Sequence, residues 1–156
     1  MQVARQDEKK QKMRIVVCGS MSHYFKMLAV KKKLISLGHE VVLPEVATSQ
    51  QLKDIKNNSY IDTAELKIRH DFIRKHYQHI VKSDAVLIVN HDKNGIKNYI
   101  GGNAFLEMGF AYVSNKPIFL LNPIPNIRFY YHEIRAMQPI VIQDNWSKLN
   151  LKNLPD

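Results

Sequence analysis

One apolar run, from Asp84 to Asn90, constrains the fold of this 156-residue chain more than any other segment. Between its polar ends every side chain is alanine, valine, leucine or isoleucine, a pattern typical of a strand buried on both faces in the middle of a parallel sheet. Parallel neighbours have to be joined by a crossover connection, which is usually a helix. The rest of the chain is therefore expected to alternate between strands and helices.

Four other segments have the composition of strands, and segments with helical periodicity separate them. Short β-branched or apolar runs predict strands at 14–18, 39–44, 117–121 and 139–142. Apolar residues at helical spacing predict helices at about 23–37, about 62–82, about 103–114 and about 133–137. The alternation predicts an α/β fold: a five-stranded parallel sheet with helices on both faces, in a flavodoxin-like or Rossmann-like three-layer sandwich.

Length and composition favour one globular domain. Hydrophobic residues make up 45% of the chain and charged residues 24%, which excludes wholesale disorder. We expect a single domain at 14–156 behind a flexible basic N-terminal tail at 1–13. No apolar run is long enough to cross a membrane, and the N-terminus is charged where a secretory signal is apolar, so a cytoplasmic location is expected. The single cysteine, Cys18, cannot form an internal disulfide and is expected to lie in a buried strand.

The charge of the chain favours anionic partners. The sequence has 23 Lys and Arg residues against 14 Asp and Glu, a net charge of +9, which attracts phosphorylated molecules. No basic motif interleaved with aromatic residues is present, and such a motif is what reads RNA. The composition therefore argues against nucleic acid and leaves small phosphorylated ligands.

Glu107 is the most unusual ionisable residue in the sequence. It is the only carboxylate on a helix expected to begin near Asn103, a good N-cap residue, and its helical neighbours are almost all apolar. Such a helix should be buried, and a buried carboxylate without partners either destabilises the fold or has a raised pKa. Two explanations are open: a structural glutamate that caps loop N–H groups or pairs with Arg14, or a catalytic carboxylate that faces a crevice.

The loop before this helix ends in paired glycines, Gly101 and Gly102, which allow backbone N–H groups to approach a ligand closely. In sheets of this kind ligands bind at the carboxyl ends of the strands, beside the point where the strand order reverses. This rule predicts that three segments lie around one crevice: the Gly19-Ser20 turn, the loop at 90–102 and the loop at 122–125.

The segments from Asp84 to Asn90, from Phe105 to Ala111 and from Lys116 to Leu121 together resemble the nucleoside 2-deoxyribosyltransferase superfamily. The resemblance covers roughly residues 14–142, and its most specific part is the stretch from Glu107 to Ala111. That superfamily includes transferases that exchange bases on deoxyribose and hydrolases that cleave the N-glycosidic bond of nucleotides. The resemblance implies a reaction of this type on a nucleoside or nucleoside 5′-monophosphate. Nothing in the sequence indicates a metal or an organic cofactor.

The resemblance also implies roles for individual residues. The superfamily's nucleophilic glutamate falls on Glu107, which would attack the anomeric carbon and form a covalent ribosyl intermediate. Gly19 and Ser20 match the first-strand loop that lies near the sugar and the 5′-phosphate. Two acidic residues common in the transferases are missing, because this chain has Gly101 and His76 at those positions.

Two aspartates are candidates to replace the missing acidic residues. Asp71 lies on the same predicted helix as His76, and Asp92 lies in the loop after the central strand. A third aspartate, Asp84, opens the central strand, where it either takes part in catalysis or has a structural role, capping the end of the preceding helix or orienting a loop.

Further candidates for substrate contact are Asn90, Asn103 and Tyr99. The asparagines either bind sugar hydroxyls or serve as strand-end and N-cap residues, and Tyr99 either stacks on a base or packs the loop. The three histidines of the second predicted helix are expected on the surface rather than at a metal: His70, His76 and His79.

Assembly and two other functions stay open at this level. The resemblance implies a homodimer or larger homo-oligomer, for which four aromatic residues are either contacts or core: Phe129, Tyr130, Tyr131 and Trp146. A noncatalytic nucleotide-binding or sensing module would keep the crevice without the chemistry. A phosphoribohydrolase of the cytokinin-activating type expects a Gly-Thr step before its glutamate, and this chain has Ala104, Phe105 and Leu106 there.

Overall fold

The computed structural model describes residues 11–46 and 64–154, together with Lys53 and Asn57. Residues 1–10 of the predicted tail and most of the stretch at 47–63 lie outside the described residues. The described strands are β1 Arg14–Gly19, β2 Glu40–Val42, β3 Ala85–Val89, β4 Ile118–Leu120 and β5 Ile140–Val141. The described α-helices are α1 Tyr24–Ser36, α2 Ala64–His70, α3 Phe72–Val81, α4 Gly102–Val113 and α5 Tyr131–Ala136. None of these helices is long and apolar enough to cross a membrane.

The five strands form one parallel sheet in the order β2-β1-β3-β4-β5. The central strand is β3, and all five of its residues are buried, as the apolar run predicts. β1 pairs with β3 from Ile15 opposite Ala85 to Gly19 opposite Val89. The strand order reverses between these two strands, so their carboxyl ends flank the ligand-binding point of a flavodoxin-like sheet.

Apolar layers cover both faces of the sheet. Successive side chains of a strand point to opposite faces, so Ile15 and Val17 of β1 pack with α1 in one cluster. Val16 and Cys18 pack in the other cluster, which contains residues of α3, α4 and α5. The predicted three-layer sandwich and the buried position of Cys18 are confirmed.

Two helix boundaries differ from those predicted. The helix expected at about 62–82 is divided into α2 and α3 at Asp71, whose φ of 52° is left-handed. Aspartate is among the few residues other than glycine that tolerate this conformation. The helix is therefore interrupted without the glycine or proline that would have predicted an interruption from the sequence. α4 begins at Gly102 with Gly101 as its N-cap, so Asn103 is not the cap that the sequence predicts.

The four aromatic residues considered for assembly lie in different environments. Phe129 is 89% exposed. Tyr130 stacks on Phe105 at a centroid distance of 4.6 Å and donates a hydrogen bond to the Ile100 carbonyl. Trp146 packs against the core on the α1 side. Tyr130, Tyr131 and Trp146 are partly buried, so Phe129 is the most exposed of the four residues and the best placed to contact another molecule.

Candidate active site

A cavity of about 260 Å³ opens at the carboxyl ends of β1 and β3. Its wall contains Ser20 and Met21 after β1, Lys67 of α2, His76 of α3 and the beginning of α4. The volume lies close to the lower end of the roughly 300–1,000 Å³ that small-molecule sites occupy. The position agrees with the predicted crevice at the Gly19-Ser20 turn and the loop at 90–102. The loop at 122–125, which the sequence also placed there, contributes no residue to the cavity wall. The size suits a small ligand.

Glu107 lies in the wall of this cavity, on the second turn of α4, and its side chain is buried. Its Oε1 accepts a hydrogen bond of 3.1 Å from Asn103 Nδ2, one helical turn earlier, and lies 3.5 Å from His76 Nε2. Within the described part of the chain, Oε2 accepts no hydrogen bond. The carboxyl group therefore has one oxygen that is held and one that is without a partner.

Burial raises the pKa of Glu107 from an ordinary 4.5 to about 8. The Cys18 thiol, the Lys67 ammonium and the Asn103 amide act in the opposite direction, but they do not offset the loss of water. In the unliganded protein at neutral pH, most molecules therefore carry Glu107 in its neutral form. A ligand with positive charge beside Oε2 would favour ionisation.

His76 and Cys18 complete a buried cluster with Glu107. His76 Nε2 lies 3.4 Å from Cys18 Sγ, and both side chains are buried. Burial, with a smaller effect of His79, lowers the pKa of His76 to about 4, so the imidazole is neutral at neutral pH. Burial also raises the pKa of the Cys18 thiol. The prediction that His76 lies on the surface is wrong, because α3 turns this residue onto the apolar face that also carries Ile80.

Three lysine side chains line the cavity together with apolar residues. Lys93 Nζ donates a hydrogen bond of 2.8 Å to Ser20 Oγ and lies 5.3 Å from the centre of the Tyr99 ring. Lys67 Nζ donates to Asn103 Oδ1 at 3.4 Å. Lys75 forms an ion pair with Glu45 at 3.8 Å on the cavity wall. These cations make the cavity attractive to an anionic ligand.

The two glycines before α4 have different steric requirements. A Cβ atom added to Gly101 would lie 2.9 Å from the Tyr99 hydroxyl oxygen and 3.0 Å from a ring carbon. A Cβ atom added to Gly102 would meet nothing within 4 Å. Gly101 therefore leaves room for the Tyr99 ring in the cavity wall. A larger side chain at this position would displace Tyr99.

The structure brings most of the predicted site residues together. The cavity wall includes six of them: Ser20, Tyr99, Gly101, Gly102, Asn103 and Glu107. Gly19 lies next to the wall, at the end of β1, where a Cβ atom would lie 3.1 Å from the Val89 carbonyl oxygen. The absence of a side chain at Gly19 therefore allows β1 to pack closely against β3, and it is not needed for a contact in the cavity wall.

Three predicted site residues lie away from the cavity. Asp84 precedes β3, at the opposite end of the strand from the cavity, and accepts a hydrogen bond of 2.7 Å from the Arg14 backbone N–H. Asp71 is half-exposed and pairs with Arg74 at 3.1 Å. Asn90 is fully buried and exchanges hydrogen bonds with Asn122 that join the ends of β3 and β4. The contacts of Asp84 and Asn90 agree with the structural alternatives, and none of the three residues lines the cavity, so we assign no chemistry or substrate contact to them.

Cys18 and His76 are site residues that the sequence analysis missed. The signal for His76 was its spacing of four residues from Ile80, which places both on one face of a helix. The signal for Cys18 was its place immediately before the Gly19-Ser20 turn, at the carboxyl end of a strand. Neither signal shows that β1, α3 and α4 meet at one point.

Comparison with solved structures relates the fold to two enzymes. A 2-deoxyribosyltransferase from Bacillus psychrosaccharolyticus is similar over 92% of this chain and 92% of its own, with 18% identity and a TM-score of 0.54. The CMP N-glycosidase BcmB of Clostridium botulinum aligns with 88% of this chain and 98% of its own, at 15% identity and a TM-score of 0.49. No protein-family model and no curated protein matches the chain. The chain therefore has the fold of the 2-deoxyribosyltransferase, which is the fold that the sequence resemblance implied.

Proposed function

We propose that the protein cleaves or transfers the N-glycosidic bond of a nucleoside or nucleoside 5′-monophosphate, with Glu107 as the nucleophile. The observation that carries the proposal is a buried carboxyl group in a cavity wall, with one oxygen held by Asn103 and the other without a partner. The likeness of the fold to a 2-deoxyribosyltransferase supports the same reaction class.

The proposed reaction follows from the two environments of the carboxyl oxygens. Asn103 donates a hydrogen bond to Oε1, whereas the buried Oε2 accepts none from the described residues, so we assign the attack on the anomeric carbon to Oε2. The carbon–oxygen bond forms as the carbon–nitrogen bond breaks, and the base leaves with the electron pair of that bond. Water or a second base then displaces Glu107 from the ribosyl ester and restores the carboxylate.

The raised pKa of Glu107 is consistent with a nucleophile, and it limits the pH range in which the free protein is active. Only the ionised carboxylate attacks, and its fraction in the free protein increases as the pH rises through about 8. The positive charge that develops on the sugar favours the same ionisation, because it lies beside the buried oxygen in a site with little water. We expect kcat/KM for base release to increase with pH over this range.

The departing base requires a proton, and neither Asp71 nor Asp84 lies on the cavity wall to supply it. Glu45 is the second carboxyl group on the described part of that wall, and it is half-exposed beside Lys75. We propose that the proton enters at this side of the cavity, through Glu45 or water.

The positive wall favours a phosphorylated substrate. Lys93 and Ser20 form a hydrogen-bonded pair beside the end of β1, where a 5′-phosphate would find an ammonium and a hydroxyl group together. Charge-assisted hydrogen bonds to phosphate are about twice as strong as neutral ones. We therefore propose that a nucleoside 5′-monophosphate binds more tightly than the free nucleoside.

Incubation with a panel of nucleosides and 5′-monophosphates, followed by chromatography of free base, tests the proposal. The wild-type protein should release base, and Glu107→Gln should lower kcat by at least about 10³-fold, since the nucleophile acts only in its anionic form. Asp71→Asn is the matched control and should keep wild-type turnover, because Asp71 lies outside the cavity wall. Saturable binding without base release would favour the noncatalytic sensing module, and normal turnover by Glu107→Gln would exclude the assignment.

The expected homo-oligomer is also a proposal. Ile73 and Leu106 line the cavity and are each 43% exposed, so they present apolar surface beside the site. A second copy that covers this surface would bury both side chains and close the cavity. Light scattering at micromolar concentration should give a mass above that of one 18.1 kDa chain, and a monomer mass would exclude the assembly.

A further inference from the structure

Three atoms of different chemical types meet beside the cavity: Cys18 Sγ, His76 Nε2 and a carboxyl oxygen of Glu107. Sγ lies 3.4 Å from Nε2, and Nε2 lies 3.5 Å from Oε1. The potential ligand atoms of the three residues all lie within 4.8 Å of one another. We refer to these three residues as the Cys-His-Glu cluster.

The spacing of the cluster fits a tetrahedral zinc ion. Zinc binds thiolate sulfur at about 2.3 Å, imidazole nitrogen at about 2.0–2.1 Å and carboxylate oxygen at about 2.0–2.2 Å, which at tetrahedral angles separates the ligand atoms by about 3.4–3.6 Å. Two of the three distances in the cluster, 3.4 and 3.5 Å, agree with this separation. The third pair, Cys18 Sγ and a Glu107 carboxyl oxygen, lies within 4.8 Å and would move to that separation when an ion binds.

The cluster is held by three separate elements and opens to the cavity on one side. Cys18 belongs to the central part of the sheet, His76 to α3 and Glu107 to α4. His76 and Glu107 line the cavity, and the buried Oε2 of Glu107 has no hydrogen-bond partner among the described residues. An ion can enter from the cavity, bind the three residues and keep its fourth position for water.

The charges of the cluster balance those of a divalent ion. Bound as thiolate, neutral imidazole and carboxylate, the three side chains carry two negative charges, so a complex with Zn²⁺ is neutral and suited to a buried site. His76 is already neutral in the free protein, whereas Cys18 and Glu107 each release a proton when the ion binds. Lys67, Lys75, Lys93 and His79 line the same cavity, and the three lysine charges oppose the entry of a cation, so the two negative charges of the ligands have to outweigh them.

We propose that the Cys-His-Glu cluster binds Zn²⁺ as a three-ligand site with an open fourth position, and that bound zinc blocks turnover by occupying Glu107. Soft sulfur together with imidazole and carboxylate selects zinc or cobalt over magnesium or calcium, which prefer oxygen ligands alone. The inhibitory part rests on the proposed function of Glu107, whereas the binding part rests on the cluster alone.

Titration of the full chain with Co²⁺ tests the binding part directly. Because the sequence contains one cysteine, a thiolate-to-cobalt absorption band reports Cys18 and no other residue. The band should reach its maximum at one ion per chain, disappear when Zn²⁺ is added, and be absent in Cys18→Ser. His132→Ala, which removes an exposed histidine on α5, should leave the band and the stoichiometry unchanged.

Because Cys18 is fully buried, Cys18→Ser can fail to fold, and a second variant is needed to test the site independently. Glu107→Gln keeps a side chain of the same size and should weaken zinc binding at least tenfold in competition with a chromophoric chelator. Zinc should raise the melting temperature of the wild type more than that of either variant. Absence of the cobalt band in the wild type, or wild-type zinc affinity in folded Glu107→Gln, would overturn the site.

The inhibitory part is tested by base release with and without zinc. The wild type, first treated with a chelator, should lose turnover as zinc is added and regain it when the chelator is returned. Undiminished turnover of protein that shows one bound zinc per chain would overturn inhibition but leave the site standing. A protein that shows the cobalt band but releases base under no condition would contradict the proposed function instead, so the two failures are distinguishable.

Discussion

At the scale of single residues, the surroundings of Glu107 decide what the site can do. The sequence predicts a buried carboxylate because α4 is apolar around it, and the structure confirms the burial. Pairing with Arg14, the structural alternative, is not found, since Arg14 lies 3.6 Å from Glu40 at the other end of the sheet. The contacts with His76 and Cys18 were not predicted, because they depend on how three separate elements pack.

The protonation of Glu107 predicts how its replacement changes stability with pH. The folded protein holds a proton on Glu107 up to about pH 8, whereas the unfolded chain releases it near 4.5. The wild type therefore loses stability as the pH rises between these values, and Glu107→Gln has no such proton to lose. The free energy of unfolding of Glu107→Gln relative to the wild type should increase by about 1.4 kcal/mol per pH unit in this window.

Urea unfolding of both proteins at several pH values measures this difference. His76, whose pKa is lowered, makes the opposite contribution below 6.5, but it is present in both proteins and largely cancels. Glu45→Gln, at a half-exposed carboxylate, is the control and should show a nearly constant difference. Parallel stability curves for the wild type and Glu107→Gln would contradict the raised pKa.

The paired glycines predict two different outcomes for the same substitution. Gly101→Ala should displace the Tyr99 ring and raise KM, because the new Cβ atom would lie 2.9 Å from the Tyr99 oxygen. Gly102→Ala meets no neighbour and should leave KM unchanged, with stability equal or up to about 1 kcal/mol higher. Steady-state base release and thermal melting of both variants provide the comparison. Equal KM values would show that the position of Tyr99 is irrelevant to substrate binding.

At the scale of elements, the strands were easier to predict than the helix boundaries. The apolar run of β3 and the β-branched run of β1 are recognisable in the sequence, because strands covered on both faces consist almost entirely of apolar residues. The break between α2 and α3 at Asp71 was not predicted, since an aspartate with a φ of 52° leaves no mark in the periodicity of the sequence. That break also shows why Asp71 is a poor catalytic candidate, as it ends one helix and faces Arg74.

The start of α4 is the element on which the site depends. Because Gly101 rather than Asn103 is the N-cap, the Asn103 side chain is available to donate to Glu107 one turn later. A capping asparagine would direct its side chain toward the backbone N–H groups of the first turn. The sequence identified Asn103 as a site residue but gave no reason to place it against the carboxylate.

At the scale of the whole molecule, the order of the strands determines where the chemistry lies. The reversal between β1 and β3 places the end of β1, the loop after β3 and the start of α4 around one cavity. This much followed from the alternation of strands and helices. The sequence did not show that Asp84 and Asn90 have no place in the cavity wall. Asp84 lies at the opposite end of the strand from the cavity, and the side chain of Asn90 is engaged by backbone groups of the next loop.

The distribution of charge over the molecule predicts selectivity for phosphate. Lys93→Met removes the ammonium group beside Ser20 and should raise KM for a nucleoside 5′-monophosphate at least about tenfold, while KM for the nucleoside changes little. Lys97→Met is the control, because Lys97 is exposed on the same loop and lies outside the cavity wall. Equal effects of Lys93→Met on both substrates would contradict a phosphate site at this position.

Mass spectrometry of the protein quenched with acid during turnover tests the central claim most directly. A substrate that releases base in the chromatographic assay should leave one ribosyl or deoxyribosyl group on the peptide that contains Glu107, and Glu107→Gln should carry none. A sugar attached to another residue, or the same adduct in Glu107→Gln, would contradict the assignment of Glu107 as the nucleophile.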